Sequence, residues 1–315
     1  MRRLWLHKIT HWEYWPAYLV YLPTFFFWLY CMVRFRSFRF YKYSNPAFKN
    51  GGLIGDGKKS IYDLLPENLY PKTILISESE PYDFHQILQQ NNFTFPLIVK
   101  PDVGLRGIGV KLIADYESLF AYRDSIKKDF LIQEQCNYPN EIGLFYCRIP
   151  GKSSGKITGI TIKKFLKVKG DGLQTIYDLL LQNPRFEIQI PKLKSQLNLE
   201  EILPPNEVKC LVPFGNHNRG TEFLDGHHLI TPQLEKTFDE ILSKIEGFYY
   251  GRLDIRYDNF ADLEAGKNFM IIEINGAKSE PTHIYDPSHS FWYAQKEIFR
   301  HQMLFYRVVL ECNKQ

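Results

Sequence analysis

The 315-residue sequence is poor in cysteine, and no two of its five cysteines form a CxxC pair. Cys31, Cys136, Cys147, Cys210 and Cys312 are odd in number and widely spaced, which argues against a disulfide framework and a structural zinc site. A reducing, cytoplasmic compartment is the simplest expectation. Excess charge is also missing. The formal net charge is +4 and the basic residues are dispersed, so no nucleic-acid partner is expected. No complete GxxxxGK[ST] phosphate loop and no dinucleotide-binding glycine fingerprint is present. There is no internal repeat and no low-complexity tail. What is plentiful is apolar and aromatic: 44% hydrophobic residues, with 24 Phe and 20 Tyr, enough for a sizeable core. The length suits two domains, or one enzyme of two or three lobes.

The N-terminus differs from the rest. Residues Tyr14 to Val33, YWPAYLVYLPTFFFWLYCMV, carry no formal charge. A helix of about twenty apolar residues is long enough to cross a bilayer core. Trp12, Trp15 and Trp28 read as interfacial anchors, and Arg34, Arg36, Arg39 and Lys42 follow among aromatics. No small-residue cleavage site is present, so a cleaved signal peptide is not expected. Residues 12–43 are therefore expected to contact a membrane surface, at its cytoplasmic face. Pro16 and Pro23 interrupt the run, which leaves spanning and in-plane arrangements open beside a buried core helix.

Asn45 to Lys59 is rich in Gly, Asn and Lys and reads as a linker or loop. Beyond it, short apolar runs alternate with helical patterns. Strands are predicted at 96–100, 109–113, 130–135, 142–148, 156–165, 250–257 and 269–274. Helices are predicted at 116–127, 175–182, 233–247 and 292–310. Strands outnumber helices and often follow one another directly, which predicts α+β lobes. The expected divisions are a membrane-associating segment over 1–43, a linker and short N-terminal lobe over 44–95, a small lobe over 96–150 and a large lobe over 151–315.

Two stretches carry chemistry. In FPLIVKPDVGLRGIGV, Phe95 to Val110, an apolar run delivers Lys100, and Gly104, Gly107 and Gly109 follow. Glycines let backbone N–H groups approach phosphates, and a strand-end lysine adds a point charge. In GRLDIRYD, alternation puts Arg252 and Asp254 on one strand face; in FMIIEING it does the same for Glu273 and Asn275. Were the two strands antiparallel neighbours, these four side chains would converge, and Asp254, Glu273 and Asn275 would offer hard oxygen donors suited to Mg²⁺.

Together these segments resemble the ATP-grasp ligases, a group that includes D-alanine–D-alanine ligase, cyanophycin synthetase and glutamate ligase-like enzymes. The resemblance runs from about Lys58 to Leu310, and VKGDG with Thr175-Ile176 is similar to the cyanophycin synthetase branch. It implies an ATP-grasp fold, with two α+β lobes sandwiching ATP behind a short N-terminal lobe and a hydrophobic N-terminal helix. It also implies that Lys100 contacts the α- and β-phosphates while Gly104 to Gly109 close over them. Lys59, or its neighbour Lys58, would be the first ATP lysine, and Lys163 a further one. Glu134 with the backbone of Gln135 and Cys136 would face adenine, and Glu141 the ribose. Asp254, Glu273 and Asn275 would hold Mg²⁺, or Mn²⁺, and Arg252 would stabilise developing negative charge.

The implied reaction activates a carboxylate as an acyl phosphate and joins it to an amine, releasing ADP and phosphate. A small-molecule kinase and a membrane-tethered ATP-binding module without catalysis are the alternatives. After Asn275 the sequence departs from the D-alanine ligases: Lys278, Glu280, His283 and Asp286 are expected to shape a different acceptor pocket, and Arg219 to pair with a substrate carboxylate.

Overall fold

The computed structural model describes residues 2–79, 82–104, 107–213, 215 and 217–314. The chain divides into two units. The first comprises Met1–Arg34, Gly159–Leu229 and Pro281–Met303; the second comprises Phe35–Thr158, Ile230–Glu280 and Leu304–Gln315. The strands, in chain order, are β1 (Thr73–Ile76), β2 (Leu97–Pro101), β3 (Lys111–Ile113), β4 (Phe130–Glu134), β5 (Asn140–Cys147) and β6 (Lys156–Lys164). They continue with β7 (Leu166–Lys169), β8 (Val208–Val212), β9 (Glu222–Asp225), β10 (Tyr250–Tyr257) and β11 (Phe269–Asn275).

In the second unit, a four-stranded sheet has the order β1-β4-β2-β3. The pairs β1–β4, β4–β2 and β2–β3 are all antiparallel. Its apolar face holds Leu97, Val99 and Ile132 against Phe84, Leu88 and Leu119 from two helices. Those helices, Phe84–Gln90 and Tyr116–Ser125, start at caps. The Asp83 carboxylate accepts from the His85 and Gln86 amides, and Asp115 forms a capping box with Ser118. The period of two then turns Lys100 of β2 and Gln133 of β4 to the opposite face.

β10 lies between β11 and β5 within the order β11-β10-β5-β6-β9. The helix Pro232–Leu242 buries Leu234, Phe238 and Leu242 along one side, as their spacing predicts, behind a Thr231 cap. β6 begins in the second unit and ends in the first, where it pairs with β9. There β7 and β8 also pair and pack on Ile176, Leu180 and Leu203.

The predicted strands over 250–257 and 269–274 match β10 and β11 within a residue, whereas β7, β8 and β9 were not expected. These three are only four or five residues long, too short for alternation to register. The segment read as a linker, Asn45 to Lys59, is instead tightly bonded. The Asn45 amide is fully buried: its Nδ2 donates to Gly51 O and Tyr250 O, and its Oδ1 accepts from the Tyr249 and Tyr250 amides. Gly51, at φ 61°, accepts from the Ala277 amide, and an added Cβ would meet Tyr41 O at 2.6 Å.

A second correction concerns Tyr14 to Val33. The run is not one helix. It is divided among a turn at Trp12–Tyr14, a short helix Ala17–Val20 behind Pro16, and the helix Leu22–Phe35 with Pro23 in its first turn. Among the described residues no helix is long and apolar enough to cross a membrane. Trp12 is no anchor either: it is buried among Ile284, Ala294 and Ile298, and its indole N–H donates to His289 O.

Candidate functional site

The antiparallel register of β10 and β11 sets Asp254 opposite Glu273 and Arg252 opposite Asn275. On the other side of β10, Asp254 faces Gly143 of β5. A Cβ at Gly143 would meet Arg252 Cδ at 3.2 Å and Asp254 Oδ1 at 3.4 Å, so the missing side chain keeps this face open. Arg252 donates from Nε to Asp254 Oδ1 at 3.0 Å and from Nη2 to Asp254 Oδ2 at 3.3 Å. Burial works against the guanidinium charge, but the Asp254 and Glu273 carboxylates outweigh it and raise the Arg252 pKa.

Between Asp254 and Ile255 the register slips: Glu273 pairs with Asp254 and Ile271 with Ile255, leaving Ile272 as a bulged residue. Its carbonyl turns to other donors. Lys100 Nζ donates to Ile272 O at 3.4 Å, and the Tyr62 hydroxyl donates to the same oxygen. Lys100 also donates to Tyr62 Oη and Gln133 Oε1, each at 2.9 Å. The bulge thus ties the strand-end lysine of β2 to the backbone beside Glu273. Burial pulls the Lys100 pKa down to about 8, with Glu273 and Asp102 acting the other way.

The two adjacent lysines separate. Lys58 Nζ donates to Pro101 O at 3.2 Å, Asp102 O at 3.1 Å and Gly104 O at 3.3 Å, at the root of the glycine segment. Burial lowers its pKa, while Glu273 raises it. Lys59 turns away and pairs with Asp63 one helical turn on. Of the two lysines that the sequence left open, Lys58 is the one that lies against the backbone at Pro101 to Gly104. Gly107 and Gly109 adopt φ values of 69° and 78°, which suit glycine. Leu105 and Arg106, inside the expected lid, lie outside the described residues.

Glu134 ends β4 and is partly exposed, 3.4 Å from Lys72 Nζ. Gln135 and Cys136 follow, both partly buried, with burial raising the Cys136 thiol pKa. Glu141 is almost fully buried and accepts from Arg256 Nε at 2.9 Å; Arg256 Nη1 also donates to Tyr138 O. Arg256 was not anticipated, although alternation from Arg252 and Asp254 places it on their face. Tyr62, Gln133, Gly143 and Ile272 were missed as well, because nothing local marks a residue whose part depends on cross-strand register.

Other predicted residues lie in the first unit. Lys163 is buried on β6, with Nζ 5.9 Å from the Phe223 ring centre. Arg219 ends a short turn, His217–Arg219. His217 joins a buried group in which Arg185 Nη2 donates to both Glu13 oxygens, at 2.5 and 2.7 Å. His283 is fully buried with its Nε2 3.2 Å from Glu297 Oε2, and Arg300 donates to the same carboxylate. Asp286 accepts from the Asp225 and Ser288 amides. In the second unit, Glu280 offers its carbonyl to Arg252 Nη1 at 3.5 Å.

The residues on β10 and β11 fit a divalent cation. Two carboxylates and an amide are hard donors of the kind Mg²⁺ takes. Asn275 is buried, and its amide nitrogen has no hydrogen-bond partner. The amide oxygen and nitrogen are interchangeable by a flip, so an oxygen can occupy that position.

Comparison with known proteins bears on the earlier part of the chain. Residues 56–144 match the family model of the RimK-like ATP-grasp domain. No curated protein matches the sequence. Among solved structures, the chain is similar to a bifunctional glutathione synthetase from Pasteurella multocida (13% identity, TM-score 0.42, 79% of this chain and 36% of that one). It is also similar to D-alanine–D-alanine ligase from Bacillus anthracis complexed with ATP (13%, 0.41, 78% and 65%). A third is the VanG D-Ala:D-Ser ligase from Enterococcus faecalis (12%, 0.45, 81% and 61%). The chain thus spans between about a third and just under two thirds of these proteins' lengths. The likeness to a RimK-like ATP-grasp domain is thus confined to residues 56–144, a span that holds the four-stranded antiparallel sheet and its two helices.

Proposed function

We propose that the protein is an ATP-dependent ligase that activates a small carboxylate as an acyl phosphate and couples it to an amine, releasing ADP and phosphate. The observation that carries this reading is the register of β10 and β11: Asp254 against Glu273 and Arg252 against Asn275, with Lys100 bonded to the bulge beside them. Lys58 and Lys100 would hold the triphosphate under the glycine segment. Glu134, Gln135 and Cys136 would border the adenine, and Glu141, oriented by Arg256, the ribose. Asp254, Glu273 and Asn275 would hold magnesium or manganese, which neutralises phosphate charge when bound. Arg252, held in place by Asp254, would face the negative charge that develops on the substrate. Positioning and electrostatics are sufficient for such chemistry, and no protein nucleophile is needed.

Lys163, Lys278, Glu280 and His283 remain candidates for phosphate and acceptor contacts. The small lobe over 96–150 and the large lobe over 151–315 are retained as part of this proposal. The cytoplasmic setting expected from the cysteine usage is part of the same proposal.

The test is to incubate the protein with Mg-ATP and pools of amino acids, hydroxy acids and peptides. ADP release that requires one carboxylate and one amine, with an amide as product, supports the ligase. ADP release with a stable phosphorylated product replaces it with a kinase. No turnover with any pool, alongside ATP binding, points to a non-catalytic module.

A further inference from the structure

The helix Leu22–Phe35 is apolar on every side. One side packs inward, where Cys31 is fully buried. The other carries Leu22, Phe25, Phe26, Leu29, Tyr30 and Val33, which are 41–79% exposed. Their spacing, i, i+3, i+4, i+7, i+8 and i+11, is that of a single helical face. Beside it, the helix Phe291–Cys312 exposes Trp292 and Phe299. A groove of about 390 Å³ runs between the two, lined by Pro23, Phe26, Tyr30, Ile298 and Phe299. Continuous apolar surface of this kind marks a docking face.

Charge identifies the occupant. The first 55 residues contain eight lysines and arginines and one acid, Glu13. That acid is withdrawn: its side chain is 5% exposed and closed by Arg185 and His217. Arg34, at the end of the aromatic helix, is exposed, as are Arg36 and Arg39 just after it in the chain. A second copy of this face would set cations against cations, which opposes self-association. An anionic bilayer supplies both an apolar layer and the opposite charge. The helix has 14 residues, about 21 Å, which is too short to cross a core of roughly 30 Å, so it would lie in the interface.

We propose that this face docks in-plane on an anionic lipid bilayer. The proposal does not depend on the reading of the nucleotide site. The full-length protein is sedimented with phosphatidylcholine vesicles, with and without phosphatidylglycerol, at low and high salt. Co-sedimentation with the anionic vesicles, weakened by salt, is expected. The double substitution Phe25→Ser and Phe26→Ser should reduce it by at least about tenfold. Arg36→Glu with Arg39→Glu should abolish the preference for phosphatidylglycerol. Trp292→Ser, on a separate helix, repeats the test if the double variant does not fold. Failure to bind either vesicle overturns the proposal. So does a dimer in light scattering that Phe25→Ser and Phe26→Ser dissociate, since the face would then join two copies of the chain.

Discussion

Two buried charged clusters in this molecule look alike and behave differently. In the first unit, the Glu297 carboxylate accepts from Arg300 and lies against His283, while His301 Nδ1 sits 2.9 Å from Glu297 O. In that cluster the Glu297 charge is answered by Arg300. In the second unit, Lys100 is buried with a depressed pKa, and Asn275 has an unpartnered amide. There Lys100 is still hydrogen-bonded to Tyr62, Gln133 and Ile272 O, while the Asn275 amide nitrogen is left without a partner. Charge burial alone therefore does not mark a site.

Substitutions should separate the two. Glu273→Gln is expected to lower ADP formation by about 10²–10³-fold, the range for losing one electrostatic stabiliser, with little change in unfolding free energy. Glu297→Ala should do the reverse. It should cost about 3 kcal/mol in denaturant unfolding, because it strands a buried partner, while ATP binding persists. If Glu297→Ala removed ATP binding and left stability intact, the distinction would collapse.

pH should sharpen the same contrast. Lys100 in the free protein loses its proton as pH rises through about 8, so Mg-ATP affinity should fall above that value. The cluster around Glu297 responds at the acid end. Burial lowers the His301 pKa to about 3 and also lowers that of His283. The unfolded chain therefore takes up protons near 6.5 that the folded one refuses, and stability rises with pH across that interval. The Glu297 pKa is lowered as well: burial alone would raise it, but His283 and Arg300 prevail, so this stabilisation is lost as pH falls below the ordinary carboxylate range. The melting temperature should drop steadily from pH 6.5 downward. A melting curve unchanged between neutral and acid pH would contradict this.

The smallest expected effect separates two neighbours. Lys58→Ala should raise the Michaelis constant for ATP about tenfold. Lys59→Ala, which breaks only an exposed pair with Asp63, should leave it within about twofold and change stability by less than ~0.5 kcal/mol.

Much of the site was legible because it rests on local geometry. Alternation placed Arg252 with Asp254, and Glu273 with Asn275, and glycines marked the segment after Lys100. Which of Lys58 and Lys59 would lie against Pro101 and Gly104 was not legible, since both directions are open to adjacent residues in a short helix. The segment from Asn45 was legible as a loop from its composition, but only the fold reveals that Asn45 joins Gly51 to the strand at Tyr250.

The sequence by itself determined which residues share a strand face and where several helices begin, because backbone periodicity and capping act over a few residues. It also determined that the N-terminal segment is aromatic and cationic. Only the tertiary structure decided that Asp254 meets Glu273, that Gly143 leaves room beside them, that Ile272 bulges toward Lys100, and that Glu13 is withdrawn into the first unit. Those outcomes depend on register and burial between distant parts of the chain, and long-range packing alone selects them.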